Sequence, residues 1–172
     1  MITLIDKMFI KRFCLPSNID IHSTVCKERM LPCICDRYNH VACILDGKIC
    51  SSKVNILSYG INTFSIDDTA GRHAEYSAIQ KLDVLPKKKR LKSVNLFVIR
   101  LSGNRKIQFS KPCAHCIHIM KTYPPKKGYQ IKDILYSDIN GNIVKTNLCE
   151  LDNEETKHYS YSYRIVKNRK II

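Results

Sequence analysis

Two short clusters hold the residues best suited to chemistry, His73-Ala74-Glu75 and Pro112-Cys113-Ala114-His115-Cys116. A Cys-x-x-Cys pair at a helix start lets two sulfurs converge on one cation, and an imidazole from a neighbouring helix start supplies a third donor. Zinc takes such an N/S set in tetrahedral geometry, with the fourth corner left for water. The partial positive charge at a helix N-terminus favours thiolate over thiol. Glu75 lies two residues beyond His73, near enough to face that water without being a ligand. Together these residues make a general acid/base beside a metal-activated nucleophile, which suits hydrolytic attack on an electron-poor ring carbon.

The flanking pattern supplies the elements that would position them. His40 to Asp46 is β-rich, Gly47-Lys48 offers a turn, and Val54 to Tyr59 reads as a second strand. Ala74, Ala78, Ile79 and Leu82 recur at helical spacing. Val94 to Leu101 is a continuous apolar run suited to a central strand. Pro112 suits the first position of a second helix, Cys113 to about Tyr123, which Pro124-Pro125 is expected to stop. Ile131 to Ser137 follows as a strand, and Asn140-Gly141 signals an antiparallel return into Ile143 to Thr146. Tyr159 to Val166 reads as a final strand. The order predicts a three-layer α/β/α sandwich with a mixed sheet over residues 38–147, between an extension over 1–37 and a basic one over 148–172.

In shuffled chains of this composition P-C-x-x-C arises in roughly 2% of cases and H-x-E in roughly 15–20%, so both together fall below about 1%. H-x-E followed by P-C-x-x-C is the signature of zinc deaminases. From about His40 to Thr146 the chain resembles the cytidine deaminase-like superfamily. Further likeness lies in Tyr59-Gly60-Ile61-Asn62, Ser110-Lys111-Pro112-Cys113 and Ile134-Leu135-Tyr136-Ser137. The resemblance implies His73, Cys113 and Cys116 as Zn2+ ligands, Glu75 as proton shuttle, and Asn62 and Ala74 as substrate contacts. It implies a cytosine nucleoside or nucleotide as substrate, with ammonia released, and a homo-oligomer. A histidine at the first ligand position resembles the nucleotide, free-base and nucleic-acid branches. The short Asp138-to-Asn142 turn resembles the free-nucleoside branch instead. Two other readings stand beside this one: a deaminase of RNA or single-stranded DNA, and a non-catalytic protein that keeps the zinc fold.

Charge bears on the choice. Of 172 residues, 29 are Lys or Arg and 15 Asp or Glu, and the excess is concentrated in residues 87–172, with 19 against 6. Nucleic acid is a natural partner for such a half, above all through residues 87–132, while a solvated surface is the plainer reading. The Lys87-Lys88-Lys89-Arg90 run, Lys92, Lys126 and Lys127 follow helix ends and should lie about one helix length from the metal, roughly 15 Å. Arg105, Lys106 and Lys111 lie on the metal side, where they either contact a phosphate or line a solvated loop. Nine cysteines without a secretory signal point to a reducing, cytoplasmic compartment. No apolar run approaches the ~20 residues of a membrane span. Lys and Ile richness suits an AT-rich genome such as that of a large DNA virus, in which case the virion is a further location. Cys26, Cys33 and Cys35, with His22 or His40, are either a second metal site or reduced thiols. His115 either lines the site or packs, and Tyr159, Tyr161 and Tyr163 either stack bases or form an edge strand.

Overall fold

Alternation along the first strand sets up two apolar faces. Ala42 and Ile44 lie on one side of β1 (Tyr38–Asp46), Cys43 and Leu45 on the other, and all four are buried. The computed structural model describes residues 38–47, 55–62, 72–102, 106–155 and 158–159. Chain order is β1, β2 (Asn55–Ile61), α1 (Ala74–Gln80), β3 (Lys92–Ser102), β4 (Ile107–Gln108), α2 (Ala114–Lys126), β5 (Tyr129–Ser137), β6 (Ile143–Asn147) and α3 (Leu148–Asn153).

The sheet runs β2-β1-β3-β5-β6, with the two-residue β4 pairing the end of β3. Only β3 and β5 are parallel, joined through α2; the remaining pairs are antiparallel. β3 is buried from Val94 through Ile99, Asn95 included, as a central strand requires. This is the expected mixed α/β architecture: a six-stranded mixed sheet flanked by helices, consistent with a three-layer α/β/α sandwich. The helix side of the core joins Ala42, Ile44, Leu96, Val98, Ile134 and Tyr136 to Ala78, Ile79, Ile117, Met120 and Leu151. The opposite face is dry as well, with Cys43, Leu45, Phe97, Ile99 and Leu135 all buried. No helix among the described residues is long and apolar enough to cross a membrane.

Several boundaries differ from the sequence expectation. Pro112 precedes α2 instead of opening it. Cys113 takes extended backbone (φ −78°, ψ 165°) and is the N-cap. Pro124 and Pro125 lie inside the last turn of α2, where their fixed φ is helical although each lacks an N–H and crowds the carbonyl four residues before it. The helix ends instead at Gly128, whose φ of 90° suits glycine. The Lys127 and Gly128 amides close that turn on the Pro124 and Pro125 carbonyls at 2.9 and 3.1 Å. The Asn140-Gly141 signal does mark a hairpin, but Asp138 builds it. Asp138 Oδ1 accepts from the Asn140 and Asn142 amides at 2.9 and 2.7 Å, while the Asp138 carbonyl accepts from Gly141 at 3.1 Å. Too short to show a period, α3 is fixed by a capping box between Asn147 and Glu150 and by buried Leu151. Tyr159 is not in a strand, and the rest of the expected Tyr159–Val166 strand lies outside the described residues, as do Cys26, Cys33, Cys35 and His22.

One close approach fixes the first half of the site. α1 lies directly on the backbone of β2 at Gly60, where an added Cβ would sit 2.2 Å from the Ala74 carbonyl oxygen and 2.3 Å from the Ala78 nitrogen. Ser58 Oγ donates to the Ala78 carbonyl at 2.8 Å beside it. Gly60→Ala should therefore displace α1 and destabilise the fold by about 3 kcal/mol or more. That corresponds to a fall of roughly 6–12 °C in thermal midpoint. A midpoint within about 2 °C of wild type would show the helix to be free to shift.

Candidate metal centre

Both clusters open helices, as their spacing demands, and the two helices lie on the same face of the sheet. His73 is the N-cap of α1 and Cys113 the N-cap of α2; neither side chain makes a capping hydrogen bond, so both remain available as donors. Cys116 sits one turn into α2 and is fully buried. His73 Nδ1 lies 3.1 Å from Cys116 Sγ and 3.5 Å from Cys113 Sγ. All three donor atoms fall within 4.8 Å of one another, the one such His/Cys/Asp/Glu group among the described residues.

These distances can be compared with what a shared ion requires. A nitrogen at 2.0–2.1 Å and a sulfur at 2.3 Å from one tetrahedral ion are separated by about 3.6 Å. The two N···S distances sit at or just inside that value, and one imidazole with two thiols is a donor set suited to zinc. The three residues can therefore hold a metal ion. Their electrostatics agree. The Cys113 thiol is held down to about 3 by the hydrogen bond from Cys116 and, against burial, by His73. Cys116 is pushed up because it is the proton-bearing partner of Cys113, is buried and faces Glu75. The His73 imidazole is raised by its hydrogen bond with Cys113.

Glu75, in the first turn of α1, is 1% exposed, and its Oε2 has no hydrogen-bond partner. An ionisable side chain buried in this way costs stability unless something else is bound against it. The two expected substrate contacts are bonded to each other. The Ala74 N–H donates to Asn62 Oδ1 at 2.7 Å, while the Asn62 amide is tied back to the His40 carbonyl at 3.1 Å. Ala74 N–H is thus committed, and what Asn62 offers a ligand is its side-chain NH2.

The second cluster is held from behind by a buried hydroxyl pair. Ser110 Oγ donates to the Val98 carbonyl at 2.9 Å, lies 2.7 Å from Ser137 Oγ, and accepts from the Ser137 amide at 2.8 Å. This ties the loop before Cys113 to the middle of β3 and the end of β5. The first amide of α2, Ala114 N–H, donates to the His158 carbonyl at 2.8 Å, and Phe109 meets the His158 ring edge-to-face at 6.2 Å. Lys111, read as either a phosphate contact or part of a solvated loop, is paired with Glu154. Lys106 is exposed, and Arg105 lies outside the described residues. His115 is exposed, with its ring edge-on to His73 at 6.4 Å.

The basic clusters after the two helices gather at the opposite helix ends, as the topology predicts. Lys127 Nζ donates to the Gln80 and Leu82 carbonyls at 2.7 and 2.5 Å, closing the C-terminus of α1. Lys92, Lys121 and Lys145 pair with Asp46, Asp152 and Asp133, while Lys87 to Arg90 are exposed. His40, considered in the sequence only beside Cys26, Cys33 and Cys35, lies close enough to the cluster to feel the charges of Glu75, His73 and Cys113. It belongs to no motif, and only the pleat of β1 brings it to the cluster. No protein-family model matches the chain, and no curated protein is significantly similar to it.

Proposed function

We propose that this chain is a zinc-dependent hydrolytic deaminase of the cytidine deaminase-like superfamily, acting on the cytosine of a nucleoside or nucleotide. The observation that carries the reading is Glu75. A structural metal site needs only its ligands, yet here a carboxylate is buried beside the donor set with one oxygen unpartnered. His73, Cys113 and Cys116 would hold the ion, which when bound makes a water acidic enough to serve as nucleophile near neutral pH.

The rest of the chemistry falls to the chain. Glu75 accepts a proton from the attacking water and delivers it to ring N3 as oxygen adds to C4. It then returns the water's second proton to the exocyclic amine. The C4–N bond breaks, ammonia leaves, and the ring retains oxygen as a carbonyl. In this reading the Asn62 NH2 donates to the base or sugar. The exposed Lys87 to Arg90 run favours a polynucleotide substrate as the second reading, although Lys92, Lys111, Lys121 and Lys127 are already engaged within the chain.

Ammonia release from cytosine, cytidine, CMP, dCMP and short single-stranded oligonucleotides, each with and without a zinc chelator, tests the proposal. Chelator-sensitive turnover of a monomeric compound is expected. Turnover of oligonucleotides alone would move the assignment to the second reading, and no ammonia from any of them would defeat both.

A further inference from the structure

Two buried side-chain polar atoms among the described residues lack a hydrogen-bond partner, Glu75 Oε2 and His40 Nε2. Both belong to one place. His40 lies on β1 with the parity of Ala42 and Ile44, so the pleat directs it to the helix side of the sheet. Its carbonyl anchors Asn62, whose side chain in turn holds the first amide of α1. Its imidazole is close enough to feel the charges of Glu75, Arg100, His73 and Cys113. It is not part of the donor set, because its nitrogens fall outside the group lying within 4.8 Å of one another.

We infer that His40 is a substrate-binding residue of this site, its Nε2 hydrogen-bonding an oxygen of the ligand, either the ring carbonyl or a sugar oxygen. The inference rests on the proposed deaminase reading. Buried polar atoms are almost always paired, and exceptions concentrate where a ligand completes the bonding. Two exceptions at one cluster point to one ligand that satisfies both: Glu75 at the reacting edge of the ring and His40 beside it. Burial lowers the His40 pKa, so the imidazole enters this contact neutral.

The test uses the full zinc-loaded chain with His40→Leu, which removes the polar atom, and His40→Gln, which keeps a donor. His40→Leu should leave zinc content unchanged and the ligand-free thermal midpoint equal or higher, because an unpaired buried group is lost. It should raise KM for cytidine at least tenfold, with His40→Gln recovering part of that rise. Cytosine as free base separates the two oxygens: a KM rise for both compounds marks the ring carbonyl, and a rise for cytidine alone marks the sugar. A lower midpoint with unchanged KM would make His40 a structural residue, and loss of zinc would make it a ligand; either overturns the inference. If the wild-type chain turns over no cytosine compound, the deaminase reading fails separately. Calorimetric titration with cytidine then decides for His40: binding abolished by His40→Leu supports the contact, and absent or unaltered binding overturns it.

Discussion

Glu75→Gln should lower turnover by roughly 10²–10⁴-fold, the usual worth of a positioned acid/base, without loss of zinc and without loss of stability. The last part separates this residue from an ordinary buried carboxylate. A glutamate held by an ion pair or by several amide donors stabilises the fold, and its removal costs stability. Glu75 is 1% exposed, and its Oε2 has no partner, so the ligand-free fold carries it at a cost. Glutamine keeps the shape and cannot accept a proton, so the chemistry is lost while desolvation is relieved. Ammonia release, metal content and thermal midpoint on the same preparations check this together. A variant that keeps zinc and turns over normally would remove Glu75 from the mechanism. One that unfolds would show that the carboxylate's contact with Cys116 is structural.

The metal donors were legible in the sequence because a helix start is a local event. N-capping geometry places the first and fourth residues of C-x-x-C on one side of the first turn, whatever the rest of the chain does. His73 and Cys113 are both N-caps, as that reasoning requires. Signals that depend on tertiary context were less legible. His40 carries no motif, and its proximity to the cluster comes from strand parity and from the pairing of β1 with β2. Lys111 reads as a free cation until the chain returns Glu154 to it. Pro124-Pro125 looks like a stop, yet α2 carries both in its last turn despite the two backbone donors they remove, and Gly128 supplies the real end. The two-residue β4 is defined by its pairing with Arg100 and Leu101, not by its own pattern. In α3 a cue was present in Asn147 and Glu150, a capping pair readable without periodicity.

Removing the metal should be felt in stability and in thiol chemistry at once. An ion that binds only the folded chain adds about 2.7 kcal/mol at a hundredfold excess over its dissociation constant. Chelation should therefore lower the thermal midpoint by roughly 5–11 °C, and added zinc should restore it. The second effect discriminates between individual cysteines. In the metal-free chain Cys113 is held down to about 3 by Cys116 and His73, so it is a thiolate at neutral pH. Cys43, buried in the sheet away from any cation, is pushed up to about 12 and stays a thiol. An alkylating reagent followed by peptide mass mapping should modify Cys113 at least tenfold faster after chelation than before. Cys43 should remain unmodified in the native fold under both conditions, and exposed Cys149 should react at a rate that chelation does not change. Acid should release the ion, because protons compete for two sulfurs and one imidazole. If Cys113 reacts equally fast with and without chelator, and the midpoint does not move, then no ion bridges α1 and α2. Glu75 would then lie beside a cluster of thiols instead of a reaction centre.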